Sequence, residues 1–161
     1  MARDRRLHSP PVVDDDYLAA WRALLTAHAA VVGRIERELA RAGGELVPLT
    51  WYDVLIELHE APGQRLRQRD LSRSIVLTRS GISRLVDRLQ AADLVRRQPN
   101  PDDRRGDLIV LTDSGRAALR RTWPAYARGI AEHFARHVRP EEVSVLAAAL
   151  ERVRAASASA G

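Results

Sequence analysis

Thr78-Arg79-Ser80-Gly81-Ile82-Ser83-Arg84-Leu85-Val86-Asp87-Arg88-Leu89 is the stretch on which the fold of this chain turns. Ile82, Leu85, Val86 and Leu89 recur at spacings of three and four, which gathers them on one face of a helix. Thr78 is the expected N-cap. Arg79, Ser80, Ser83, Arg84, Asp87 and Arg88 point elsewhere, mostly to solvent. A helix that buries one face and presents short hydroxyls and arginine forks on another is built to lie in a DNA groove. There a bidentate Arg–guanine pair discriminates by ~1–3 kcal/mol. Charge runs on helices are commonly just solvated faces, so the neighbouring segments decide.

On the downstream side, Leu94-Val95-Arg96-Arg97-Gln98 and Asp107-Leu108-Ile109-Val110-Leu111 read as two short strands. They flank Pro99-Asn100-Pro101-Asp102-Asp103-Arg104-Arg105-Gly106, a run of turn formers that predicts a hairpin tip. Asp103 and Arg105 are two apart, so an extended chain sets them on one side. The aspartate can orient the guanidinium into a minor groove, where narrow width and negative potential attract it. The bland alternative is a surface ion pair worth ~0–1 kcal/mol. Upstream, a short helix is expected from about Arg67 to Ile75, anchored by Leu71, with Arg67, Arg69 and Arg73 available to phosphates.

The charge agrees with these elements. Between Pro62 and Asp107 lie eleven Arg and six Asp, a balance equal to the formal +5 of all 161 residues. The remaining acids and bases cancel. Such confinement is the footprint of a polyanion-binding surface. All 26 basic residues are arginine. A GC-rich coding bias produces that, yet it supplies planar forks for phosphates and guanine edges that lysine lacks.

Around this centre the chain reads as long helices. One starts near Asp14-Asp15-Asp16, whose charges suit a helix N-terminus. It carries Tyr17, Leu18, Trp21, Leu24, Leu25, Val31, Val32, Ile35 and Leu39 at helical spacing and ends at Gly43-Gly44. A second is expected with Thr50 as cap and Asp53 as its capping-box partner, stopping at Pro62-Gly63. Thr112 caps a fifth, expected from about Asp113 to His137, and Pro140 opens a sixth bearing Val143, Leu146, Ala147, Leu150 and Val153. The expected class is therefore mainly α with a small β-wing: a winged helix–turn–helix at 47–111, flanked by long terminal helices at 14–46 and 112–156. Residues 1–13 and 157–161 are expected to be a flexible arm and tail. The outer helices keep apolar stripes that need a partner, and a two-fold homodimer is the commonest solution.

Several functions find no support. There is no cysteine, hence no disulfide, thiolate metal site or thiol switch. No apolar run approaches the ~18 residues of a membrane span, and the N-terminus lacks a signal-peptide core. A cytoplasmic, nucleoid-associated location is expected. No Gly-rich phosphate loop, nucleophile elbow or His-Glu-x-x-His is present, so neither an enzyme nor a cofactor is expected. His133 and His137, four apart, could share a metal but lack a fuller ligand set.

Leu49-Thr50, Asp70-Leu71, the 78–89 stretch, Leu94-Val95-Arg96-Arg97, Pro101-Asp102-Asp103-Arg104-Arg105 and Leu111-Thr112-Asp113-Ser114-Gly115 together resemble the multiple-antibiotic-resistance-regulator (MarR) family. The similarity in layout covers about 14–155. One departure is Asp93, where the family often has Gly. The resemblance implies a triangular homodimer formed by the terminal helices, binding to palindromic duplex operators, and repression relieved by a small ligand. The DNA-contacting set is expected to be Arg67, Arg69, Arg73, Thr78, Arg79, Ser80, Ser83, Arg84, Arg88, Asp103, Arg104 and Arg105. Family effectors are commonly small aromatic acids. Trp21, His28, Trp51 and Asp53, with Tyr52 and Trp123 near them, are candidates for such a pocket, although each is as readily core or interface packing. The rival expectations are a winged-helix docking adaptor that binds no DNA, a zinc-responsive regulator and a metal-dependent enzyme.

Overall fold

The computed structural model describes residues 13–75, 79–100 and 106–159; at 72–74, 79–80 and 158–159 only the backbone is described. The elements run α1 (Asp15–Ala42), α2 (Leu49–Glu60), β1 (Arg65–Arg67), α3 (Gln68–Ser74), α4 (Arg79–Ala91), β2 (Val95–Pro99), β3 (Asp107–Leu111), α5 (Asp113–His133) and α6 (Pro140–Ser159). Single 3-10 turns lie at Pro62–Gln64 and Ala135–His137. The three strands form one antiparallel sheet in the order β1-β3-β2. The mainly α class with a small β-wing is the one expected from the sequence.

Helix α1 begins at the aspartate run, where the Asp14 carboxylate accepts from the Asp16 N–H at 2.9 Å. It ends at Gly43, whose φ of 63° lies in the left-handed region that favours glycine. Helix α2 corrects an expectation. It starts at Leu49 with Pro48 in the cap position and no side-chain cap. The Pro48 carbonyl accepts from the Trp51 and Tyr52 amides, both at 2.9 Å. Leu49 is thereby drawn into a small core with Ile35 and Leu39. Thr50 thus lies inside the first turn, and Thr50 and Asp53 form no capping box. The proline fixes the turn before the threonine can.

Strand β1 has no counterpart in the sequence reading. Its three residues are too few to show alternation, and pairing with β3 makes it a strand: Arg65 opposite Val110, Leu66 opposite Ile109, Arg67 opposite Leu108. Arg67 therefore belongs to β1, not to α3 as expected. Helix α5 is also shorter than expected. It stops at His133, and His137 falls in the following 3-10 turn, so the pair does not share one helix face.

The main core joins α2, α3, α4, the sheet and the start of α5. Val54, Leu55, Leu58, Leu71, Ile82, Val86, Leu89 and Ile109 are fully buried in it. Each fully buried aliphatic side chain favours the fold by ~1.5–3 kcal/mol. Where α1 crosses α5, a Cβ on Gly129 would lie 2.8 Å from Ile35, so only glycine admits that approach. The Thr122 hydroxyl, fully buried on α5, accepts from the Val47 amide at 3.2 Å. Gln64, itself at φ 53°, joins the end of α2 to α5 by accepting from the Arg116 guanidinium at 2.7 Å. By contrast α6 touches the rest of the chain only sparsely. Val143, Val145, Leu150 and Val153 stay exposed along it, as do Tyr17, Trp21, Leu24 and Leu25 on α1.

Candidate nucleic-acid interface

Helix α4 divides its faces as the spacing predicts. Ile82, Leu85, Val86 and Leu89 are at most 1% exposed, while Arg84, Asp87 and Arg88 are exposed and Ser83 is half-buried. Arg79 and Ser80 lie in its first turn by backbone position. The expected cap Thr78, and Asp103, Arg104 and Arg105 of the wing tip, lie outside the described residues. Arg73 is in the last turn of α3 by backbone position, and Arg69, on the same helix, is exposed, with its Nε 3.8 Å from the Asp70 carboxylate.

The wing is fastened to α4 by a residue the sequence did not single out. Arg97 on β2 donates to the Asp87 carboxylate at 2.6 Å and to the Gln90 amide oxygen at 2.9 Å. Asp87 thus has a defined role: its charge is matched by the strand beside it, leaving Arg84 and Arg88 to set the sign of that face. At the other end of β2 the chain turns through Asp93, at φ 57°. A left-handed residue is needed there, and aspartate tolerates that region better than most. Its carbonyl accepts from the Thr112 hydroxyl at 2.7 Å and its carboxylate from the Ser114 hydroxyl at 3.1 Å. The departure at this position is therefore compensated by bonds a glycine could not make in full. Gly115 follows from the same junction, because a Cβ there would lie 2.2 Å from the Leu94 carbonyl oxygen.

The candidate effector residues do not form one cluster within the chain. Trp21 and His28 lie exposed on the half of α1 that precedes its packing on α5. Among the described residues, no hydrogen bond or ring contact joins them to Trp51 or Asp53. What α2 and α5 do bring together is aromatic: Tyr52 meets Tyr126 edge-on at 5.0 Å, and Tyr126 meets Trp123 at 6.2 Å. Trp51 is half-buried against the main core. Asp53 keeps an open side to solvent. Partial loss of water, then the Glu57 and Glu36 carboxylates, still hold its carboxyl above the usual carboxylate range. Desolvation likewise raises both Tyr52 and Tyr126, so the phenols stay neutral. His133 is engaged with Glu38 at 2.6 Å, tying α5 to α1. Among the described residues no group of three metal-ligating side chains occurs.

Comparison with known proteins agrees with this geometry. The family model for the MarR family matches residues 47–106. A DNA-bound crystal structure of Sco3205, a MarR family transcriptional regulator from Streptomyces coelicolor, superposes with a TM-score of 0.78 at 31% identity, covering 91% of this chain and 90% of that one. The chain belongs to the MarR family of transcriptional regulators. AbsC, a MarR family transcriptional regulator from Streptomyces coelicolor, is similar as well, with a TM-score of 0.76 and 29% identity over 89% of this chain and 95% of its own. The multiple antibiotic resistance protein MarR of Escherichia coli is 27% identical over 84 residues, which span 52% of this chain and 58% of that protein. MarR family proteins are regulators rather than enzymes. Among the described residues no helix is long and apolar enough to cross a membrane.

Proposed function

We propose that this MarR family chain is a sequence-specific duplex-DNA-binding regulator that works as a homodimer on palindromic operators. The observation that carries this is α4 itself: it is seated by four buried aliphatic residues, exposes Arg84 and Arg88, and is bonded through Asp87 and Gln90 to Arg97 of strand β2. In this reading Arg79, Ser80, Ser83 and Arg84 choose the sequence, and Arg67, Arg69, Arg73 and Arg88 bind phosphates. Asp103 and Arg105, with Arg104, enter the minor groove. The Sco3205 structure, which contains DNA, supports this for a relative of the same fold.

The sparse packing of α6 supports the dimer. A helix of 20 residues that barely touches its own core is not stable alone in water. Pairing α6 and the exposed half of α1 with a second copy covers Trp21, Leu25, Leu150 and Val153 together. A two-fold pair presents two copies of α4, and half-sites one helical turn, ~34 Å, apart then match them. Repression relieved by a small aromatic ligand is the output the family resemblance implies. A ligand lodged among Trp51, Asp53 and the Tyr52–Tyr126–Trp123 rings, with Trp21 and His28 brought close by the dimer, would shift the spacing of the two heads.

The test is selection of bound sequences from a random duplex library, followed by titration with Arg84→Ala. The proposal expects an inverted repeat whose affinity drops at least tenfold in the variant. Recovery of no enriched sequence, with no retention on any duplex at low salt, overturns it.

A further inference from the structure

The two faces of the wing sheet carry different chemistry. Val95, Ile109 and Leu111 fill the inner face, which packs on the core, and Arg97 leaves that face to reach α4. Alternation sets the other residues on the outer face. In register, one row across the sheet reads Arg65–Val110–Arg96 and the next Arg67–Leu108–Gln98. Three arginines thus share a face on which the strands place no acid. Arg65 and Arg96 are exposed. Val110, between them in register, is only 8% exposed. An open cleft of about 310 Å³ adjoins this face, lined by Arg65, Arg67, Leu108, Asp70 and Asn100 among others.

We propose that this outer face is a second phosphate-binding surface, one that grips the duplex beyond the wing and lengthens the footprint of each protomer. The inference rests on the DNA-binding function proposed above and adds Arg65 and Arg96 to it. The outer face points away from α4, because the inner one is turned toward it. A duplex that passes beneath α4 and then the wing continues under the outer face. The ligand expected there is a run of backbone phosphates, since guanidinium forks pair with phosphate oxygens in bidentate fashion. The rows offer no base-reading pattern: their central residues, Val110 and Leu108, are aliphatic. The contribution is therefore to affinity and site length, not to sequence choice.

The experiment compares two duplexes with full-length protein. One is a palindrome recovered by selection and trimmed to its enriched inverted repeat; the other is the same palindrome lengthened by about one helical turn, ~34 Å, at each end. Wild type is expected to bind the longer duplex about tenfold more tightly at low salt. Arg65→Gln/Arg96→Gln is expected to bind the trimmed duplex as wild type does and to lose the gain from length. Its slope of log K against log[salt] on the long duplex should be shallower by about 0.9 for each phosphate left unneutralised. Arg65→Lys/Arg96→Lys, which retains the charge, should keep most of the gain. A length gain that survives intact in the Gln variant, no length gain in wild type, or equal weakening on both duplexes overturns the inference. Failure of wild type to bind even the trimmed duplex overturns the DNA-binding function instead.

Discussion

The Thr112 hydroxyl donates to the Asp93 carbonyl at 2.7 Å and accepts from the Gly115 amide at 3.0 Å, so one side chain both closes the turn into β2 and caps α5. The turn, the wing strands and the long helix α5 therefore meet at a single atom. Thr112→Val removes both bonds while keeping the shape. It is expected to lower stability by about 1–2 kcal/mol, the cost of losing an N-cap with a buried partner. A urea melt followed by circular dichroism measures this; an unchanged midpoint would show that the junction is held by packing alone.

Gly115→Ala should be far more damaging than its size suggests. The added methyl would overlap the Leu94 backbone and the Leu111 side chain, at 2.2 and 2.7 Å. The Leu111 side chain can turn aside, but the Leu94 carbonyl is backbone and moves only with the chain entering β2, so a loss of about 3 kcal/mol is expected. Gly106→Ala is the control, since nothing lies within 4 Å of its would-be Cβ. Equal melting of the two variants would contradict the close approach.

At Asp53 the sign of the pH effect is determined by the direction of the shift. The folded chain raises this carboxyl, chiefly through desolvation and then through Glu57 and Glu36. An acid raised on folding binds its proton more tightly in the native state. Its ionisation therefore weakens the fold as pH rises through the carboxylate range. Asp53→Asn is expected to raise the melting temperature at pH 7 and to lose that advantage below about pH 4. Melting curves across that range decide it, and a variant less stable than wild type at pH 7 contradicts the effect.

The bond between β2 and α4 makes a separate prediction. Arg97→Met should raise amide exchange in β2 and in the second half of α4 together, since it frees Asp87 and Gln90 at once. The pair is partly exposed, with side chains 26% and 59% accessible, so global stability should fall by no more than about 1 kcal/mol. Exchange that changes in one element only would mean that the two are not coupled through this bond.

How far the sequence can be read depends on how many residues each signal spans. The four-residue apolar stripe of α4, the glycine end of α1 and the Thr112 cap are local patterns, and the structure has them where expected. Strand β1 is three residues long and exists only through its pairing with β3, so Arg67 reads locally as helix. Thr50 has the right type for a cap, yet Pro48, two residues earlier, already closes the turn. The roles of Asp93 and Arg97 depend on partners at 112, 114, 87 and 90, which no local pattern reveals. The candidate effector residues are alike only in type, and Trp21 and His28 lie exposed on the half of α1 that precedes its packing on α5.

The most direct measurement is the mass of the complex. Sedimentation equilibrium of the protein with a selected palindromic duplex at low salt should give two chains of 17.9 kDa on one duplex. Arg84→Ala should still pair but hold the duplex at least tenfold more weakly. A protein that stays a single chain and sediments apart from every duplex offered would contradict the paired, groove-reading molecule described above.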